Sequence, residues 1–193
     1  MLRLIALRIA LAIVAVAAVL PLQSSDREQR PMNVVQIPSM GLEIWTERTP
    51  EWITEIVYRG SKPVFTAQTP VKTYPPAVMS FVRFPGMAIK PGSLEDVASE
   101  AFSSAWENYA VPTEARQNEE IFPASYGEMV GFESSFPGFA RGDPVDIKAF
   151  VGRVEGQGTI MMQVYTLRGK LPHISESIRR SWTNIRYLKK DEL

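Results

Sequence analysis

Three spacings of apolar residues run along this chain, and each predicts a different kind of element. From Ile9 to Leu20 every position is apolar, with Arg3 and Arg8 ahead of the run and Pro21, Gln23, Ser24 and Ser25 behind it. Short β-branched and aromatic runs recur at 42–47, 54–59, 78–84, 129–136, 145–154 and 159–167, and these predict strands. Between them, Leu94, Val97, Ala98, Ala101, Phe102, Ala105, Trp106 and Tyr109 fall alternately three and one apart. That spacing is the apolar stripe of a helix of about four turns. Ser93 stands where an N-cap is needed, and Glu95 and Asp96 bring negative charge to the positive end of the helix dipole. A last helix begins near Pro172, a residue suited to the first helical position, with Ile174, Ile178, Trp182 and Ile185 on one face.

The punctuation between these runs completes the picture. Pro63, Pro70, Pro75 and Pro76 mark 60–77 as loop or ragged edge, and 110–124 reads as a polar loop closed by Pro123. Gly142-Asp143-Pro144 and Gly156-Gln157-Gly158 supply turn chemistry around the strand between them. Arg141-Gly142-Asp143 matches an integrin-binding tripeptide, but its place between two strands makes it turn chemistry. The expected fold is α+β: an antiparallel sheet of five to six strands with two main helices packed on it.

The uniform run near the start changes the picture from fold to location. A positive start followed by 7–15 apolar residues is the secretory layout. The segment 1–22 is therefore a signal peptide or an uncleaved membrane anchor. Small residues at Ala15/Ala17 and Val16/Ala18 lie inside the run, so both outcomes fit. Residues 23–33 read as a polar linker, 34–188 as a single domain and 189–193 as a charged tail. The expected location is the bacterial periplasm, free or anchored in the inner membrane. The tail Lys190-Asp191-Glu192-Leu193 spells an ER-retention address and gives an ER-lumen alternative for a eukaryotic host.

Composition mostly removes chemistry. The 193 residues hold 21 Lys+Arg, 21 Asp+Glu, one His and no Cys. A net charge of zero gives no pull toward nucleic acid. The missing Cys excludes disulfides, thiolate metal sites and a catalytic thiol. His173 has no G-x-S-x-G or S-x-x-K nucleophile beside it, and no P-loop, G-x-G-x-x-G or EF-hand run occurs. No metal and no cofactor is expected. Glu119-Glu120, Glu128 with Glu133, and Asp143 with Asp146 are available carboxylate pairs.

The C-terminal half carries a recognisable order: Gly142-Asp143-Pro144-Val145, a hairpin through Gly156 and Gly158, Tyr165-Thr166-Leu167, then a helix ending Ser181-Trp182 before Ile185-Arg186-Tyr187. In this order, over roughly 35–188, the chain resembles the PsbP/DcrB-like α/β/α sandwich group. That resemblance implies a small exported domain with no shared enzymatic activity. Its bacterial members include envelope lipoproteins, and its photosynthetic members include photosystem II accessory proteins. This chain lacks the Cys that lipidation requires, so any attachment must come from its own apolar segment.

The expected function is a non-catalytic, envelope-associated domain that binds or scaffolds a protein partner. Phe136, Phe139, Trp45 and Trp52 are the candidate contact residues, because exposed aromatics anchor partners. Two further readings stay open: a small amphipathic ligand held between sheet and helix, and a hydrolase using a carboxylate pair.

Overall fold

The computed structural model describes residues 31–84, 93–116 and 120–189. The segment 1–22, the linker up to residue 30, Glu119 and the tail Lys190-Asp191-Glu192-Leu193 lie outside the described residues.

The described residues open with β1 (Met32–Ile37) and β2 (Leu42–Glu47), joined by a 3-10 turn that Gly41 ends in the left-handed region at φ 60°. Next come the hairpin of β3 (Ile53–Arg59) and β4 (Lys62–Gln68), then β5 (Ala77–Phe84). Helix α1 (Leu94–Asn108) and the single turn α2 (Thr113–Arg116) follow. Four strands come after them: β6 (Phe122–Tyr126), β7 (Met129–Ala140), β8 (Asp143–Arg153) and β9 (Thr159–Leu167). Helix α3 (Leu171–Thr183) and the short β10 (Arg186–Tyr187) finish the described fold.

Seven strands make one antiparallel sheet in the order β3-β4-β5-β9-β8-β7-β6, and β1-β2-β10 make a second. The register places Phe65, Phe81, Met162 and Phe150 side by side across the large sheet. This row packs with Ile178 and Trp182 of α3 and with Ile37, Leu42 and Ile44 of the small sheet. On the opposite face, Ile147, Ala149, Val151 and Met161 pack with Ala98, Phe102 and Ala105 of α1. Each large side chain removed from water contributes about 1.5–3 kcal/mol, so both faces of the large sheet are held by burial.

The described residues thus hold ten strands and three helices, where five or six strands and two helices were expected. Three of the additional strands have a local cause. Pro63 sits inside β4 at the very end of its pairing with β5, which starts at Val64 and Val82, so its missing N–H costs only the last ladder bond. Pro123 sits in β6, the outermost strand of its side, where a missing donor is tolerated. Phe136-Pro137-Gly138-Phe139 lies within β7. The strand runs straight through it, because β6 pairs only as far as Glu133 and leaves that edge of Pro137 free. Met32 and Asn33, expected in the linker, already pair with Glu47 and Thr46. Arg141 and Gly142 do form the turn between β7 and β8, both at positive φ (55° and 91°).

Candidate functional site

The four aromatic contact candidates do not converge on one surface. Phe136 is 3% exposed and Trp52 4% exposed, in the cores on opposite faces of the large sheet. Phe136 meets the Trp106 ring edge-on at 6.3 Å. Burial removes both as contact residues. Phe139, 44% exposed, stands near the end of β7, and its backbone N–H donates to the Tyr109 carbonyl at 2.7 Å. Trp45 is half-buried on β2. Its Nε1–H donates to Glu43 Oε1 at 3.1 Å, and the Arg186 guanidinium lies 5.8 Å from its ring.

A concavity lies elsewhere, between α3 and the β6-β7-β8 side of the large sheet. It is a cleft of about 770 Å³, within the 300–1,000 Å³ usual for small-molecule sites. Its shape begins with Gly127, in the β6-β7 turn at φ 58°. A side chain there would fall on the Thr183 carbonyl at the end of α3, so only glycine lets the hairpin and helix approach this closely.

One wall is the sheet. Glu133 on β7 faces Phe150 on β8, which puts Lys148, two residues back along β8, at the diagonal position. Lys148 Nζ donates to Glu133 Oε1 at 3.0 Å and lies 3.0 Å from Oε2. The Tyr126 hydroxyl donates to Oε2 at 2.7 Å. The Tyr126 ring is itself fixed edge-on against Phe150 at 5.0 Å and Trp182 at 5.1 Å. Burial, and then its bond to the Glu133 carboxylate, push the Tyr126 pKa far above its ordinary value, so the phenol keeps its proton. Ser125 and Ser135 add hydroxyls.

The other wall is α3, whose Leu171, Pro172, Ser175, Ile178, Arg179 and Thr183 line the cleft. Arg179 is bound two-pronged to Glu176 at 2.6 and 3.0 Å and stands at the rim. Together the walls offer an apolar strip with a donor-rich polar end, an arrangement that orients a ligand. Glu133 is the one carboxylate among the described residues lining the cleft. The sequence-level pairs do not face one another across it: Glu128 is exposed, Asp143 is exposed, and Asp146 is tied to Arg168 at 3.1 Å. His173 is exposed on the first turn of α3. Among the described residues, no group of three His, Asp or Glu side chains could hold a metal ion.

The trio of Tyr126, Glu133 and Lys148 escaped the sequence reading because it depends on the register of two hairpins. Its signal was a charged residue on β8 among Val145, Ile147, Ala149 and Val151, with an acid on the preceding strand.

No protein-family model and no curated protein matches the chain. Solved structures do. A Bacteroides thetaiotaomicron protein superposes with a TM-score of 0.54 at 9% identity over 83% of this chain; the chain spans half the length of that protein. The cyanobacterial PsbP of Synechocystis superposes with a TM-score of 0.52 at 12% identity, over 86% of this chain and 99% of its own. The chain therefore has a PsbP-like fold. Among the described residues, no helix is long and apolar enough to cross a membrane.

Proposed function

We propose that the chain is a non-catalytic binding domain of an exported protein, and that the cleft beside α3 holds a small amphipathic ligand. The observation that carries this reading is the pairing, in one 770 Å³ cleft, of an apolar strip with a polar end built on Lys148. Such a lining buries a hydrocarbon body while a donor fixes one end. Export is supported by the charged and apolar opening of the chain and by the PsbP-like fold. Catalysis has less support, because Glu133 is already engaged by two donors.

The test is an NMR titration of the full chain with decanoate, an amphipathic anion, and with decanol, its uncharged counterpart. Decanoate should shift the signals of Ser135, Lys148, Ile178 and Arg179. Lys148→Met should weaken its binding about fivefold, worth about 1 kcal/mol, and bring it level with decanol. Shifts scattered over the surface, or an unchanged affinity in Lys148→Met, would overturn the reading.

A second reading, a protein contact, is favoured by a different observation. Strand β3 exposes Ile56 and Tyr58 on one face and Ile53 and Val57 on the other, at a sheet edge whose unpaired backbone is a template for another chain.

A further inference from the structure

Strand β3 is an edge of the large sheet, and all seven of its residues, Ile53–Arg59, are exposed. Unpaired edges of this length are usually blunted by proline, bulges or charged side chains; β3 has no proline, and its two charges, Glu55 and Arg59, are of opposite sign. Its backbone alternates in direction. The Glu55 carbonyl faces β4, where it accepts from the Thr66 hydroxyl at 3.3 Å. Ile53, Val57 and Arg59 share that direction, so Thr54, Ile56 and Tyr58 point their N–H and C=O groups out of the sheet.

We infer that β3 pairs with β3 of a second copy of this chain, antiparallel about a twofold axis through Val57. A twofold pairing of strands must bring outward groups to outward groups, which leaves few centres to consider. Centred on Val57, Ile56 and Tyr58 of one copy exchange backbone hydrogen bonds with Tyr58 and Ile56 of the other. On the opposite face Val57 meets Val57, flanked on both sides by Glu55 against Arg59. Cross-strand pairs of opposite charge, and aromatic with β-branched pairs, each contribute about 0.2–1 kcal/mol. The neighbouring centres lack this match. Centred on Ile56, Glu55 lies against Val57 and Arg59 against Ile53; centred on Glu55, two like charges meet. A patch complementary to itself closes as a dimer rather than a fibre, and the two large sheets become one.

This inference rests on the protein-contact reading, and the experiment separates the two. The chain has no cysteine, so a single introduced thiol reports its own neighbour. In cells expressing the full chain, mild oxidation should convert Val57→Cys to a covalent dimer. Ile53→Cys, far from the axis, should be linked at least tenfold less. Adding Glu55→Arg or Arg59→Glu to Val57→Cys should each reduce linking at least tenfold. Co-expressing those two charge variants should restore it, because each then supplies what the other lacks. Linking of Ile56→Cys ahead of Val57→Cys, or linking indifferent to the charge changes, would overturn the pairing. A Val57→Cys chain linked to a different protein would overturn self-pairing and keep the protein contact. No linked product at all would remove both.

Discussion

Gly131 and Gly152 stand opposite each other on β7 and β8, and neither has room for a side chain. A Cβ on Gly152 would strike the Phe150 ring and come within 2.8 Å of the Val130 carbonyl. Phe150 is the ring against which Tyr126 is fixed, and Tyr126 holds Glu133. A methyl group at residue 152 therefore reaches the polar end of the cleft through two side chains. Gly152→Ala should cost about 1–3 kcal/mol, the range for forcing extra volume into a packed interior, read from the urea midpoint. Gly156→Ala is the control. It sits at φ 76° with nothing within 4 Å of the added carbon, so it should cost only the left-handed conformation, about 1–2 kcal/mol, and leave the Tyr126 and Lys148 NMR signals in place.

At the scale of elements, α1 shows how local chemistry sets a boundary. Ser93 Oγ accepts from the Asp96 N–H at 3.1 Å, and Asp96 Oδ2 accepts from the Ser93 N–H at 3.0 Å. Two donors that the helix itself cannot satisfy are thus satisfied by side chains. Ser93→Ala should destabilise the fold by about 1 kcal/mol, measured by chemical denaturation, with a matching rise in amide exchange over the first turn. This element was legible because everything that defines it lies within sixteen residues. So were β2 and β9, whose runs at 42–47 and 159–167 match the observed strands. What was not legible depended on neighbours. Whether a proline ends a strand turns on whether its N–H would meet another strand: Pro123 and Pro137 face none, and Pro63 lies at the end of its pairing with β5. The cleft was hidden for the same reason. Lys148 and Glu133 are fifteen positions apart and meet only once the β7-β8 register is fixed. Two of the aromatic candidates were placed outside because size was taken for exposure: Phe136 and Trp52 fill cores, while Phe139 stays exposed and Trp45 half-buried.

For the whole molecule, the large sheet is a wall between two cores, and each core keeps a tyrosine neutral. Tyr109, beside α1, has its pKa pushed up to about 12 by burial and then by Tyr165. Tyr187, on the small sheet, is raised to about 12, chiefly by burial, and its hydroxyl donates to the Gly158 carbonyl at 2.6 Å. An unfolded tyrosine ionises near pH 10. The folded values lie higher, so the stability tied to the neutral phenols is intact below about pH 10 and drains away as pH rises toward about 12. Tyrosinate absorbance should therefore lag behind that of free tyrosine, and the melting temperature should fall across the same interval. Normal ionisation with no loss of melting temperature would contradict the burial of both rings.

The closure of the small sheet has a consequence for the order in which the molecule can be made. Its middle strand, β2, receives β10 only at Glu43 and Leu42. Ser181 of α3 donates to the Trp45 carbonyl across 136 positions of chain. A ribosome delivers Trp45 136 positions before Ser181. Until α3 emerges, Ile37, Leu42 and Ile44 have no helix to pack with, and the nascent polypeptide keeps a greasy surface open to whatever escorts it.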